Sequence, residues 1–346
     1  MEPVRLGVIG PSHMKAAVAS PRIDLVAVAD LIKERADRAA EEFHVPRTCY
    51  SGAELLEDAD VEAVVLAFPT GTRTDLALKA FAKGKHVLLE KPVAMNAGEV
   101  RRMIAARGER TAACCSSRFR FQESARAAAD FVAGGALGEL RVVRHRGIVA
   151  CGAKPQTPRP DWRLTRALNG GGFLVNWGCY DLDYLLGITG WRLRPKTVFA
   201  QTWTIAPHLE CHIAPGSDAE THYAALVRCE GGTVLSIERS EFTAAHAEDA
   251  WQIVGTKGSL TLNMTGGGPV SIVHDDTTSE QGVSTRTLWE GREQRGVTSA
   301  GPVTDFAAAI REGRQPLTNL ERSLIIQQIT DAVYASAEQG TAVEIP

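Results

Sequence analysis

The first 115 residues repeat one pattern: a short, continuously apolar run, then a longer segment with helical spacing. Val4-Arg5-Leu6-Gly7-Val8-Ile9, Leu25-Val26-Ala27-Val28-Ala29, Ala63-Val64-Val65-Leu66-Ala67 and His86-Val87-Leu88-Leu89 are too short for stable helices and too apolar for strands wet on one face. They predict strands buried on both sides. Between them, helices are expected at 14–19, 33–43, 75–83 and roughly 97–107, with a further strand near 111–115. Strands and helices alternating in this way form βαβ units, and hence a parallel sheet with both faces covered.

Such sheets bind ligands outside the carboxyl ends of their strands. The runs end on Gly10, Asp30, Pro69-Thr70 and Glu90-Lys91. A first strand ending in glycine and a second ending in an acid fit the dinucleotide-binding order. Lys91 follows a buried strand directly, where an ammonium is costly unless it meets a partner or does chemistry. At the rim of the sheet it faces a cleft.

After about residue 119 the character changes. A helix is expected over 122–133, then strand-like runs at 140–149, 197–204, 222–229, 233–241, 251–254 and 259–263, a loop or weak hairpin over 275–300, and helices at 303–312 and 318–338. The fold class expected is α/β: a Rossmann-type dinucleotide-binding domain (1–119) followed by an α+β domain on a largely antiparallel sheet (120–346). The last helix is free to pack back on the first domain. A chain of 346 residues is long enough for two cores.

A formal net charge of −3 argues against a nucleic-acid partner. No apolar run reaches membrane-spanning length, and the N-terminus goes straight into a strand, which reads as a chain without leader or anchor. The seven cysteines form no C-x-x-C pair and read as reduced thiols in a cytoplasm. The one cluster resembling a metal site, His208-Leu209-Glu210-Cys211-His212, lacks a helix to hold it and reads as a polar loop, so no metal is expected.

Gly170-Gly171-Gly172 lets the backbone turn sharply or come close to a ligand, and a helix follows. On it Asn176, Tyr180 and Asp183 stand at i, i+4 and i+7 and share a face.

Gly84 to Asn96 (GKHVLLEKPVAMN) and Asn169 to Gly190 (NGGGFLVNWGCYDLDYLLGITG) resemble the second and third signatures of the Gfo/Idh/MocA family of nicotinamide-dependent sugar and polyol oxidoreductases, and the likeness spans nearly the whole chain. The first signature departs from it. Where the family carries G-x-G-x-x-G, only Gly10 remains before Pro11, Ser12 and His13. Pro11 has no N–H to give a phosphate, while Ser12 could cap the helix and offer a hydroxyl. The resemblance makes Gly10, Pro11, Ser12, His13, Asp30, Pro69, Thr70, Glu90 and Lys91 the cofactor-binding set. Asp30 would accept the ribose hydroxyls and favour NAD, with Lys33 and Arg35 keeping NADP open. The plain alternative for Asp30 is a helix cap.

Asn176 and Tyr180 replace the family's usual aspartate and histidine. The reading makes Tyr180 the acid/base, Lys91 its electrostatic partner and hydroxyl anchor, Asn176 a substrate orienter, and Asp183 a hydroxyl ligand or support. Trp162, Arg163 and Arg118 (with Arg120) would line the substrate, and Arg73, where the family often has histidine, suggests a changed site. The reaction implied is hydride transfer between a nicotinamide and a secondary alcohol of a sugar, cyclitol or similar polyol. The rivals are a redox-neutral lyase or hydrolase with tightly held NAD, and a sugar-binding relative without catalysis. A homodimer or homotetramer is implied by resemblance alone.

Overall fold

The computed structural model describes residues 2–10, 12–157, 160–265 and 269–346. They form two compact units: one runs up to Arg118 and takes in Gly296–Gln327, the other is Phe119–Arg295 with Gln328–Pro346. The boundary near 119 is where the sequence pattern changes, but the chain returns to the first unit before its last helix. The segment 296–327, expected within the second domain, belongs to the first unit.

In the first unit the elements run β1 (Val4–Ile9), α1 (Met14–Val18), β2 (Ile23–Ala29), α2 (Lys33–Phe43), β3 (Arg47–Cys49), α3 (Gly52–Leu56), β4 (Ala63–Leu66), α4 (Arg73–Ala82), β5 (His86–Leu89), α5 (Ala97–Arg107) and β6 (Ala112–Cys114). All strands are parallel, in the order β3-β2-β1-β4-β5-β6. The order reverses between β1 and β4, the switch point at which doubly wound sheets open a crevice. β3 and α3 were not foreseen; three residues are too few to carry a period.

Side chains alternate between two apolar layers, as strand geometry requires. Ile9, Val64, Leu66, Val87 and Leu89 pack with Leu55, Phe81 and Met103 on one face. Val4, Leu6, Val8, Val65 and Leu88 meet Met14 and Ala17 on the other, together with Val303, Phe306 and Ala307. Those last three lie on α9 (Val297–Glu312), reached after the chain has built the second unit. α9 completes the cover of that face beside α1, which explains the chain's return.

The second unit contains α6 (Glu123–Ala133), β7 (Leu140–Ala150), α7 (Arg166–Asn169), α8 (Cys179–Ile188), β8 (Pro195–Trp203), β9 (His222–Cys229), β10 (Val234–Thr243), β11 (Glu248–Gly255), β12 (Gly258–Leu262), β13 (Val270–Thr278), β14 (Gly282–Gly291) and β15 (Val343–Glu344), with α10 (Leu320–Gln339) running from the first unit into it. The nine strands order as β14-β13-β12-β11-β7-β10-β9-β8-β15. Every pairing is antiparallel except β7–β10. β13 and β14 make the polar stretch from 275 a true hairpin. One face of the sheet carries α8, buried along its whole length. The opposite face exposes Phe199, Trp203 and Leu226.

No helix among the described residues is long and apolar enough to cross a membrane.

Candidate active site

The strand ends of the first unit bring together most of the residues expected to bind a cofactor. Gly10 has φ +99°, and a Cβ there would lie 2.2 Å from the Ala67 carbonyl oxygen. Only glycine meets both demands. Pro11 lies outside the described residues. Ser12 is exposed and does not cap α1; the cap position belongs to His13, whose left-handed backbone (φ +77°) turns its imidazole inward. The helix starts at Met14, where it was expected, which puts His13 and not Ser12 at its cap position.

Asp30 is half-buried, and its Oδ1 accepts the Ile32 N–H at 2.8 Å. The N-cap of α2 is Ile32, so Asp30 shapes the turn and does not cap the helix. Beside it Leu31 is 84% exposed, an apolar side chain held in water at the carboxyl end of β2. Lys33 points back along its own helix, with Nζ 2.6 Å from Asp37 and 3.0 Å from the Tyr50 hydroxyl. Pro69 precedes a single 3₁₀ turn in which Thr70 is buried.

Glu90 is the centre of this region. His13 Nε2 lies 2.8 Å from its Oε1, Arg118 Nη2 lies 3.2 Å from the same oxygen, and the Lys91 N–H donates to Oε2 at 2.8 Å. Burial alone would raise the pKa of this carboxyl; the His13 hydrogen bond and the His13, Arg118 and Lys91 charges override it and hold the pKa at about 2. Glu90 is therefore ionised at any working pH, and the proton it shares with His13 resides on the imidazole. Lys91, whose bond to Pro92 is cis, has its backbone fixed by the acid before it.

Arg118, expected to line the substrate, is committed here to Glu90. Arg73 is buried, and its guanidinium donates to the Glu90 carbonyl at 2.6 Å and to the carbonyls of Phe68 and Pro92. It clasps the chain after β4 to the chain after β5.

In the second unit the expected helix begins with a π turn, Leu174–Gly178, before α8 starts at Cys179. The wider turn covers Asn176 and ends two residues before Tyr180, so the spacing between them is not that of a regular helix. Asn176 Nδ2 donates to the Arg163 carbonyl at 3.2 Å, tying the helix to the segment of Trp162 and Arg163. Arg163 lies over the Trp162 ring, 5.5 Å from its centroid. Tyr180 is buried, edge-on to Phe119 (5.3 Å) and Trp177 (5.7 Å). Asp183 is fully buried, 3.5 Å from Arg120, which itself packs against Gly187. The Arg120 contact ties this carboxylate to the segment before α6.

The glycine triad turns sharply, but its close approaches are internal. A Cβ on Gly171 would lie 1.9 Å from the Tyr334 hydroxyl, and one on Gly172 would lie 1.9 Å from the Glu220 carbonyl oxygen. Glu220 accepts N–H groups from Gly172 and Leu174 and the Tyr334 hydroxyl, with burial pushing its carboxyl up despite these bonds.

The sequence reading missed a second buried network. Arg239 donates twice to Asp181 (both 2.8 Å), and its guanidinium sits 4.9 Å from the centre of the Trp177 ring. His145 lies 3.5 Å from both Asp181 and Asp249, stacked on Trp251. A signal existed: Leu235, Ile237 and Arg239 alternate along β10 as inward positions, and an inward arginine demands an acid. In the His208–His212 segment, which forms a 3₁₀ turn, His212 is buried with Nε2 3.3 Å from Cys151.

Fold and strand-end chemistry together define a dinucleotide-binding enzyme of the doubly wound class with an appended antiparallel-sheet unit. Residues 4–117 match the oxidoreductase family with NAD-binding Rossmann fold, and residues 125–261 match the GFO/IDH/MocA C-terminal domain. The chain belongs to the Gfo/Idh/MocA oxidoreductases. It is 25% identical to D-xylose 1-dehydrogenase (NADP(+)) 2 of Haloferax volcanii over 97% of each chain, and 23% identical to scyllo-inositol 2-dehydrogenase (NAD(+)) of Bacillus subtilis over 98% of this chain and 94% of that one. It shares its fold with a levoglucosan dehydrogenase solved with NADH and levoglucosan (TM-score 0.85, 22% identity, all of both chains), which at that identity speaks for the fold alone. The levoglucosan dehydrogenase of Pseudarthrobacter phenanthrenivorans is 22% identical over 98% of this chain and 96% of its own.

Proposed function

We propose that the protein is an NAD-dependent dehydrogenase of a secondary alcohol on a sugar, cyclitol or similar polyol. One observation carries the reading: at the carboxyl end of β5, Glu90 is held ionised and pins the backbone of Lys91, so an ammonium is presented at the rim of a doubly wound sheet. The named relatives, dehydrogenases of xylose, inositol and levoglucosan, support a net redox reaction over the redox-neutral and non-catalytic rivals.

The strand ends fit a dinucleotide. Asp30 keeps a carboxylate beside exposed Leu31, suited to ribose hydroxyls next to an adenine face. The turn after Gly10, with Ser12 and His13, takes the phosphate side, and Pro69, Thr70 and Glu90 the nicotinamide side. Lys33 is drawn to Asp37 and Tyr50, which supports NAD over NADP. When bound, the nicotinamide accepts the hydride from the alcohol carbon, or returns it to the ketone.

The chain's own groups then move the proton. Tyr180, acting as the phenolate, takes the hydroxyl proton as the hydride leaves the alcohol carbon, which becomes the ketone carbon. Lys91 is the group assigned to stabilise the negative charge that develops on the substrate oxygen. Asn176, braced on the Arg163 carbonyl, orients the substrate, with Trp162 and Arg163 beside it. Asp183 and Arg120 position the helix that carries Tyr180. A second copy of the chain pairing over exposed Phe199, Trp203 and Leu226 is the assembly this reading favours.

The test is NAD⁺ reduction across a panel of aldoses, anhydrosugars, cyclitols and open-chain polyols. A substrate found this way loses at least about a hundredfold in kcat with Tyr180→Phe and with Lys91→Ala, the range for a lost acid/base or oxyanion-stabilising group. Turnover undiminished in both variants overturns the assignment.

A further inference from the structure

Of the glycine pattern only Gly10 stands before His13, and a side chain ties this stretch to the end of β5. His13 adopts a left-handed backbone at the head of α1, and its imidazole is only 5% exposed, set on the Glu90 carboxylate at 2.8 Å with Cys115 Sγ 3.8 Å from the same nitrogen. Glu90 in turn receives the Lys91 N–H, and Arg73 holds the Glu90 carbonyl. The turn after β1, the end of β5 and the lysine are thus joined by consecutive hydrogen bonds through one carboxylate.

Among the described residues, His13, Glu90 and Cys115 are the one group of His, Cys, Asp and Glu side chains whose donor atoms lie within 4.8 Å of one another. A metal is disfavoured there. Arg118 already sits on the carboxylate oxygen that would ligate it, and burial pushes the Cys115 thiol well above its ordinary value.

We propose that His13 is the positioning residue of the cofactor site: through Glu90 it fixes the shortened turn and the Lys91 backbone together, replacing with a side-chain strut the order that glycine amides and phosphate give a longer loop. The inference rests on the proposed NAD-dependent function. It goes beyond that reading in assigning part of the cofactor affinity to the hydrogen bond between these two side chains.

Two substitutions separate the strut from the bulk of the residue. His13→Gly accepts the left-handed backbone without strain but removes the donor, whereas His13→Gln carries an amide N–H to nearly the position of Nε2. Titration calorimetry with NADH, with circular dichroism and melting temperature as folding controls, is the readout. His13→Gly weakens NADH binding roughly tenfold, the order expected for one charge-assisted hydrogen bond, and His13→Gln restores it to within about threefold. Glu90→Gln weakens binding comparably, and adding His13→Gly to it weakens binding no further, because both act through one contact.

Affinity unchanged in folded His13→Gly, or losses that multiply in the double variant, would overturn the inference. Should His13→Gly fail to fold, Glu90→Gln alone decides: undiminished NADH affinity there also overturns it. Failure of the parent protein to bind NADH sinks the functional reading itself, a different and separable result.

Discussion

The two units treat buried charge in opposite ways. At the strand ends of the first, Glu90 gathers His13, Arg118 and the Lys91 N–H at a partly exposed rim, and the cations around it outnumber it. In the second, Asp181 and Arg239 close on each other completely, and Glu220 is filled by the amides of the glycine turn. A rim carboxylate with surplus positive charge is arranged to meet an anionic ligand. A sealed pair, however polar, holds the scaffold. The comparison separates side chains that look alike in sequence: under the proposed function Glu90 and Asp30 face the ligand, whereas Asp181 and Glu220 are closed within the second unit.

The largest effect that could break this contrast lies in the sealed network. Arg239→Met removes the charged partner of buried Asp181 and destabilises the second unit by about 3–5 kcal/mol in chemical denaturation. Replacing both, Arg239→Met with Asp181→Leu, recovers most of that loss. If the single change is silent, the pair is not sealed and the contrast fails.

Acid sharpens the comparison within the first unit. His86 is half-buried, its Nδ1 accepts the Thr111 N–H, and desolvation followed by the Arg110 charge lowers its pKa from 6.5 to about 4. The fold favours the neutral ring, so this stability is full above pH 6.5 and is lost as pH falls toward 4. The depressed carboxyl of Glu90 stabilises above 4.5 and loses that contribution as pH falls toward 2. Each amounts to about 3 kcal/mol at most. The pH dependence of unfolding flattens between 6.5 and 4 in His86→Asn, and between 4.5 and 2 in Glu90→Gln.

The smallest expected effect concerns nucleotide choice. With Asp30→Ala, the ratio of NADPH to NADH affinity rises by roughly tenfold, since the carboxylate that would repel a 2′-phosphate is gone. Calorimetry with both nucleotides measures the ratio.

The parallel sheet was legible because strands buried on both faces leave unbroken apolar runs, and their ends mark Gly10, Asp30 and Glu90-Lys91 without further information. β3 and α3 were too short to carry a period. Contacts that depend on distant segments left no local trace. Arg73 grips carbonyls up to 19 residues away, Glu220 reaches a turn 48 residues earlier, and Arg239 meets Asp181 across 58 positions. The glycine triad shows the limit most plainly. Its need for closeness could be read from three glycines, but what comes close is Tyr334 and Glu220. The π turn likewise shifts Tyr180 away from the face that regular helix spacing gives it.

Hydrogen–deuterium exchange by mass spectrometry, with and without saturating NADH, tests the division between the two kinds of charge most directly. The account predicts protection at the turn after Gly10, at Leu31 and Ile32, at Thr70–Thr72 and at Lys91, with the amides of Gly172 and Leu174 unchanged. Protection at the Glu220 turn, or none at the strand ends, would contradict it.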